Sequence, residues 1–129
     1  MNLQLIKFLS CFLNAQQSSN LFFFFSYSRN ILQIIKILKK EGYISHFKLF
    51  LLRDKKFLKI IFKNLNGSKQ KIYIKRVSKP SLPKFFSNKD LTGFYSKTGL
   101  FILSTPIGIL SSREAFLAGV GGSVLFYIS

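Results

Sequence analysis

The apolar patterns along the 129 residues predict an α+β fold of two small modules, residues 1–77 and 78–129. Three observations carry that expectation. Ile31, Ile34, Ile35 and Leu38 recur at the spacing of one helix face. Runs rich in β-branched and aromatic residues, short enough for strands, occur on both sides of that helix. Between the halves stands Ser78-Lys79-Pro80-Ser81-Leu82-Pro83, whose prolines fix the chain and deny strand pairing.

From Leu3 to Leu13 an apolar run interrupted by Lys7 reads as a first core helix, closing at the polar cluster that starts with Asn14. The run falls short of the roughly 18 unbroken apolar residues of a membrane span and lacks the charged start and cleavage site of a secretory signal. Transit peptides are Arg-rich, whereas the first arginine here is Arg29. Cys11, the single cysteine, sits among apolar residues and reads as a small core residue. Leu21-Phe22-Phe23-Phe24-Phe25 follows as a buried strand. Ser28 or Asn30 can cap the helix from Ile31 to Lys40, which places Lys36, Lys39 and Lys40 off its apolar stripe or at its end, and Gly42 stops it.

Two strands, Ile44 to Leu52 and Phe57 to Leu65, flank the turn Arg53-Asp54-Lys55-Lys56. Asn66-Gly67 then signals a hairpin leading into Ile72 to Val77, where apolar and polar residues partly alternate. Beyond the proline segment, Phe101-Ile102-Leu103 reads as a strand. Ser111 and Glu114 have the spacing of a capping box, so a helix starts near Ser112; Gly119 closes it and Gly121-Gly122 prevents its continuation. Ser123 to Ile128 is the terminal strand. The hydroxyl-bearing turn after Leu103, the short capped helix and the glycine-hinged strand suggest a rigid platform presenting a loop.

Twenty basic residues against four acidic ones give a net charge of +16, an imbalance that destabilises a lone compact chain and calls for a polyanionic partner. Most of this charge lies between Arg53 and Lys97, against only Asp54 and Asp90, on strand-like segments and not on one long amphipathic helix. That placement favours nucleic acid over the alternative of a basic membrane-surface protein and gives no reason to expect membrane insertion. Glu41, Asp54, Asp90 and Glu114 are the only side-chain carboxylates, and His46 and Cys11 are the only His and Cys. With no phosphate loop and no metal-ligand cluster, the reading is of no enzyme, no cofactor, no metal and no small-molecule substrate. Small hydroxyls at Ser104 and Thr105, with the close backbone approach that Gly121 and Gly122 allow, suit the shallow minor groove of structured RNA. An ordinary turn and a helix stop would use the same residues.

The stretch from Ser104 to Ser129 resembles the C-terminal signature of universal small-subunit ribosomal protein eight. Ser104, Thr105, Gly108, Arg113, Glu114, Ala115, Ala118, Gly119, Val120, Gly121, Gly122, Leu125 and Tyr127 fall in the family's register without a gap. Ile37 to Ile44 is similar to its helix-to-strand passage, and Arg76-Val77-Ser78-Lys79-Pro80 to the junction between its halves. Pro106 stands where the family usually has a second serine, Ser123 where it has glutamate, Phe85 where it commonly has tyrosine and Ser129 where it usually has an aromatic residue.

The resemblance implies an N-terminal α-β-α-β-β module and a C-terminal β-rich module with one short helix. It implies a structural component of the small ribosomal subunit that binds the central domain of small-subunit rRNA, supports its assembly and touches neighbouring small-subunit ribosomal proteins. Carried over, Ser104 and Thr105 enter the RNA minor groove with Gly121, Gly122 and Ser123 beside them. Phe85 stacks or packs nearby, and Arg29 and Lys79 hold backbone phosphates. A messenger-RNA-binding regulator using the same loop is the alternative with shared chemistry. Heavy use of Phe, Ile, Leu, Lys and Asn without Trp is the bias of an AT-rich genome, which points to an organellar ribosome, a mitochondrion before a plastid.

Overall fold

The structure, a computed structural model, describes residues 3–18, 20–65, 68–69, 72–76, 84–92 and 99–129. The chain falls into two compact units, Asn2–Ile72 and Tyr73–Ser129. Ile74–Arg76, which a division at 77/78 assigns to the first module, pairs with the terminal strand and so lies in the second unit. The proline-bracketed segment itself and Asn66-Gly67 lie outside the described residues.

The N-terminal unit runs α1 (Leu3–Gln17), β1 (Phe22–Ser26), α2 (Arg29–Lys40), β2 (Ile44–Leu52) and β3 (Lys55–Phe62), then a small hairpin of β4 (Asn64–Leu65) and β5 (Ser68–Lys69). This is the expected α-β-α-β-β order, with an antiparallel sheet in the order β1-β3-β2. Helix α1 runs beyond Asn14 because its buried face, Leu5, Phe8, Leu9, Phe12 and Ala15, continues at helical spacing. That face excludes Cys11, which is exposed and is not the core residue its apolar neighbours suggest. Phe8 and Phe12 meet the sheet edge-on: Phe8 packs against Phe25 and Phe12 against Phe62, each with ring centroids 5.3 Å apart. The Phe run is an edge strand covered on one side only, with Phe22 and Phe24 exposed, where sequence reading expects a buried strand.

Helix α2 buries the expected stripe of Ile31, Ile34, Ile35 and Leu38, together with Ile37. Its end is fastened by two amides: Gly42 N–H donates to the Lys39 carbonyl at 3.1 Å and Tyr43 N–H to the Leu38 carbonyl at 2.8 Å. The β2–β3 turn is tighter than expected, with strand pairing resuming at Lys55, so Arg53 and Asp54 alone turn the chain, at φ 50° and 63°.

The C-terminal unit comprises β6 (Ile74–Arg76), β7 (Phe85–Phe86), α3 (Asn88–Leu91), β8 (Leu100–Thr105), β9 (Gly108–Ser111), α4 (Ser112–Ala118) and β10 (Gly122–Ile128). Its sheet has the order β6-β10-β8-β9, and β7 pairs with the start of β10. Leu91, Leu103, Ala115 and Val124 form a core cluster between helices and sheet, with Phe86, Phe101 and Leu110 packed against it. Helix α4 is the short helix anticipated; α3, a single turn, adds to it. Strand β9 was not anticipated, because four residues between a turn and a helix cap are too few to show alternation.

Candidate nucleic-acid interface

The predicted site begins at the end of β8. Antiparallel pairing sets Ser104 opposite Ser123, and Ser123 is in turn opposite Phe85 on β7. Directly paired residues share a face, so these strands align Phe85, Ser123 and Ser104 in one row. Ser104 is exposed, Ser123 half-buried, and Phe85 65% exposed. Strand alternation explains the difference between the two phenylalanines of β7. Phe86 turns inward and meets Phe101 at right angles, 5.2 Å between centroids, which leaves Phe85 outside. Lys84, exposed just before it, uses its carbonyl to accept the Val124 amide at 2.8 Å, which anchors β7 along β10. Nothing in the sequence pattern singles out Lys84.

Thr105 is placed differently. Its side chain is buried, and Oγ1 donates to the Gly108 carbonyl at 2.6 Å, clasping the two-residue turn Pro106-Ile107 between β8 and β9. Its proton is committed inside the hairpin, and only its lone pairs remain to accept a bond. Pro106 and Ile107 form the exposed tip.

Gly121 and Gly122 bring strands together. A Cβ on Gly122 would overlap the Ser104 carbonyl and stand 2.9 Å from Thr105 Cγ2. On Gly121 it would overlap the Phe86 carbonyl and stand 2.8 Å from Ser87 Cα. The two glycines therefore let β10 approach β8 on one side and the β7–α3 corner on the other, which draws the row together.

Behind the row, helix ends are tied down closely. Ser111 Oγ accepts the Glu114 amide at 3.2 Å and Glu114 Oε1 accepts the Ser111 amide at 3.5 Å, the capping box read from the sequence. Gly119, at φ 75°, closes α4. Two fastenings were not foreseen. Ser112 Oγ, buried, accepts the Phe101 amide at 3.3 Å and ties α4 to β8. Asn88 Nδ2 donates to the carbonyls of Ala115, Phe116 and Val120 at 3.3, 3.2 and 3.4 Å, capping the end of α4 from α3. Sequence reading passes over α3, whose start carries a local signal in Ser87 followed three residues later by Asp90, a second capping box. Hydrogen bonds from the Ser87 amide and hydroxyl, aided by the charge of Lys89, hold the Asp90 carboxyl below its ordinary value of 3.8.

Arg29 lies in the N-terminal unit, exposed at the first turn of α2, whose N-cap Ser28 makes no side-chain cap bond. Lys79 lies outside the described residues. His46 is exposed, and among the described residues no group of three or more His, Cys, Asp or Glu is placed to hold a metal ion. No helix among them is long and apolar enough to cross a membrane.

Residues 4–129 match the model of a family described as Ribosomal protein S8. A small ribosomal subunit protein uS8 of Rickettsia typhi is 40% identical over 93 residues, covering 71% of this chain and 70% of its own. The uS8 of Buchnera aphidicola is 35% identical over 120 residues, 93% of this chain and 92% of its own. That of Rickettsia rickettsii is 36% identical over 113 residues, covering 87% and 86%.

Proposed function

The chain belongs to the ribosomal protein S8 family, and from that premise we propose that it is a structural component of the small ribosomal subunit that binds the central domain of small-subunit rRNA and supports its assembly. The observation that carries this reading is the family match across nearly the whole chain, both units included. Chemistry supports it independently, since +16 on 129 residues needs a polyanion to lie against.

The row of Phe85, Ser123 and Ser104 is the surface that reads the RNA. Ser104 and Ser123 offer small hydroxyls to the 2′-hydroxyls and base edges of a shallow minor groove, and the exposed Phe85 ring stacks or packs at its margin. Thr105, Gly121 and Gly122 serve from behind: the threonine holds the tip closed and accepts a bond, and the glycines let the strands carry the row as one surface. Arg29 and Lys79 hold backbone phosphates. For Arg29 the setting is apt, because an exposed cation at a helix N-terminus adds to amide donors that already favour an anion.

No catalytic constellation enters this function. The AT-rich residue usage supports an organellar ribosome, a mitochondrion before a plastid. The test is sedimentation of the tagged chain from an organelle lysate at low and high salt, with sequencing of co-purifying RNA. Co-migration with small subunits and enrichment of central-domain rRNA is expected. Sedimentation with membranes after ribonuclease treatment, or no enriched RNA, overturns the reading.

A further inference from the structure

The N-terminal sheet turns one face to α1, which packs on Phe23, Phe25 and Phe62, while Leu49 and Leu51 at the hairpin end of that face stay exposed. Strand register puts Phe22, Phe24, Phe50, Phe57 and Leu52 on the opposite face. A solvated sheet face is ordinarily polar. Here Phe22, Phe24, Phe50 and Leu52 are 43%, 54%, 42% and 61% exposed, and a concavity of about 430 Å³ is lined by Phe24, Phe50, Leu51, Leu52 and Phe57. The same face carries Lys48, Lys55 and Lys59, and its one neighbouring carboxylate among the described residues, Asp54, lies at the hairpin end beside Lys55 and Phe57. We propose that it docks an acidic amphipathic segment of a neighbouring small-subunit protein, with apolar side chains in the concavity and carboxylates against Lys48 and Lys59. The proposal rests on the small-subunit reading above and specifies where on this chain a protein neighbour sits.

Ring geometry argues against RNA as the occupant. Base stacking needs open ring faces. Lys59 Nζ instead sits 4.2 Å from the Phe22 centroid and 5.9 Å from that of Phe24. Phe22 and Phe24 are inclined at 86° and Phe24 and Phe50 at 60°, so no shared plane is presented to successive bases. Leu52 and Phe57 complete a lining whose side chains offer no hydrogen-bonding group to a base edge, and Leu51 reaches it from the hairpin end. A second copy of this chain would set lysines against lysines across the interface, which is repulsive. An exposed apolar patch flanked by Lys48 and Lys59 fits a protein surface that sets carboxylates against them.

The test places p-benzoylphenylalanine at Phe24 in the full chain. Small subunits containing it are isolated and irradiated, and the crosslinked products are identified by mass spectrometry. Crosslinks recurring on one protein peptide in which apolar residues are interspersed with Asp or Glu are expected. Their yield should fall about tenfold when Lys48→Glu and Lys59→Glu are introduced, since two exposed rim charge pairs together amount to about that factor. The milder pair Lys48→Gln and Lys59→Gln gives a smaller fall in the same direction and guards against misfolding of the charge reversal. Crosslinks to rRNA or to a second copy, a yield no higher than from a probe at exposed Lys36, or a yield indifferent to both lysine pairs overturns the proposal. A chain absent from small subunits altogether overturns the reading beneath it, and the two failures are told apart by sedimentation before irradiation.

Discussion

Ser104 and Thr105 are neighbours with opposite duties, because successive strand residues face opposite ways and only the first of this pair faces solvent. Their substitutions should therefore separate. Ser104→Ala removes an exposed hydroxyl and leaves the fold intact, so cognate RNA binding should weaken roughly two- to tenfold, the loss of one hydrogen bond, with an unchanged unfolding midpoint. Thr105→Val keeps the shape and deletes the bond to the Gly108 carbonyl, so stability should fall by about 1 kcal/mol, seen as a lower denaturant midpoint. Equal effects of both substitutions on binding alone would deny the division of labour. Asp90 supplies a pH test. Its carboxyl titrates below 3.8 in the folded chain, so the α3 cap contributes fully above the unfolded value and is lost as pH falls through the folded one. Wild type should be more stable than Asp90→Asn at neutral pH, and the difference should shrink as pH falls below 3.8 in paired denaturant titrations.

The β2–β3 hairpin carries a local conflict. Both central residues of its turn have positive φ, a region that Asn and Gly occupy readily and Arg does not. Replacing Arg53→Asn and Asp54→Gly should stabilise the chain by about 0.5–1 kcal/mol and raise the thermal midpoint by several degrees in a calorimetric scan. A lower midpoint would mean that the Arg53 or Asp54 side chain makes a compensating contact. The same hairpin shows what sequence can and cannot deliver. Its strands were legible from composition, but its tightness was not, because Arg-Asp is not a turn signal of that type. Helix α2 and the start of α4 were legible because spacing and caps are local in sequence. Cys11 was misjudged because apolar neighbours say less than the angular position on the helix. Asn88 was missed altogether, since the carbonyls it caps are 27 to 32 residues away in sequence. The row of Phe85, Ser123 and Ser104 was likewise assembled by strand pairing. Only the resemblance to a known family had put its members on one list, and only the register makes them adjacent.

Charge is a property of the whole chain, and it sets how binding should respond to salt. At +16 the free protein repels itself, and added salt should raise its thermal midpoint while weakening its grip on RNA. Those opposite trends separate self-repulsion from counterion release. Within the binding data, phosphate contacts and groove contacts should separate again. Each phosphate neutralised adds a nearly constant amount to the slope of log affinity against log salt, whereas a hydroxyl that reads a groove adds none. Arg29→Ala should therefore lower affinity for every RNA alike and reduce the magnitude of that slope by about 1. Ser104→Ala combined with Ser123→Ala should leave the slope unchanged and lower affinity only for the cognate structure, narrowing the ratio of specific to non-specific binding. Equilibrium titrations over a range of salt, with a central-domain fragment and an unrelated duplex, measure both quantities together. If Arg29→Ala changed the ratio and left the slope alone, the residue would be reading sequence or shape, and the phosphate role assigned to the start of α2 would be wrong. If instead the serine pair changed the slope, the row on the C-terminal sheet would be acting through a nearby cation such as Lys84, and the groove contact would have to be sought elsewhere on that unit.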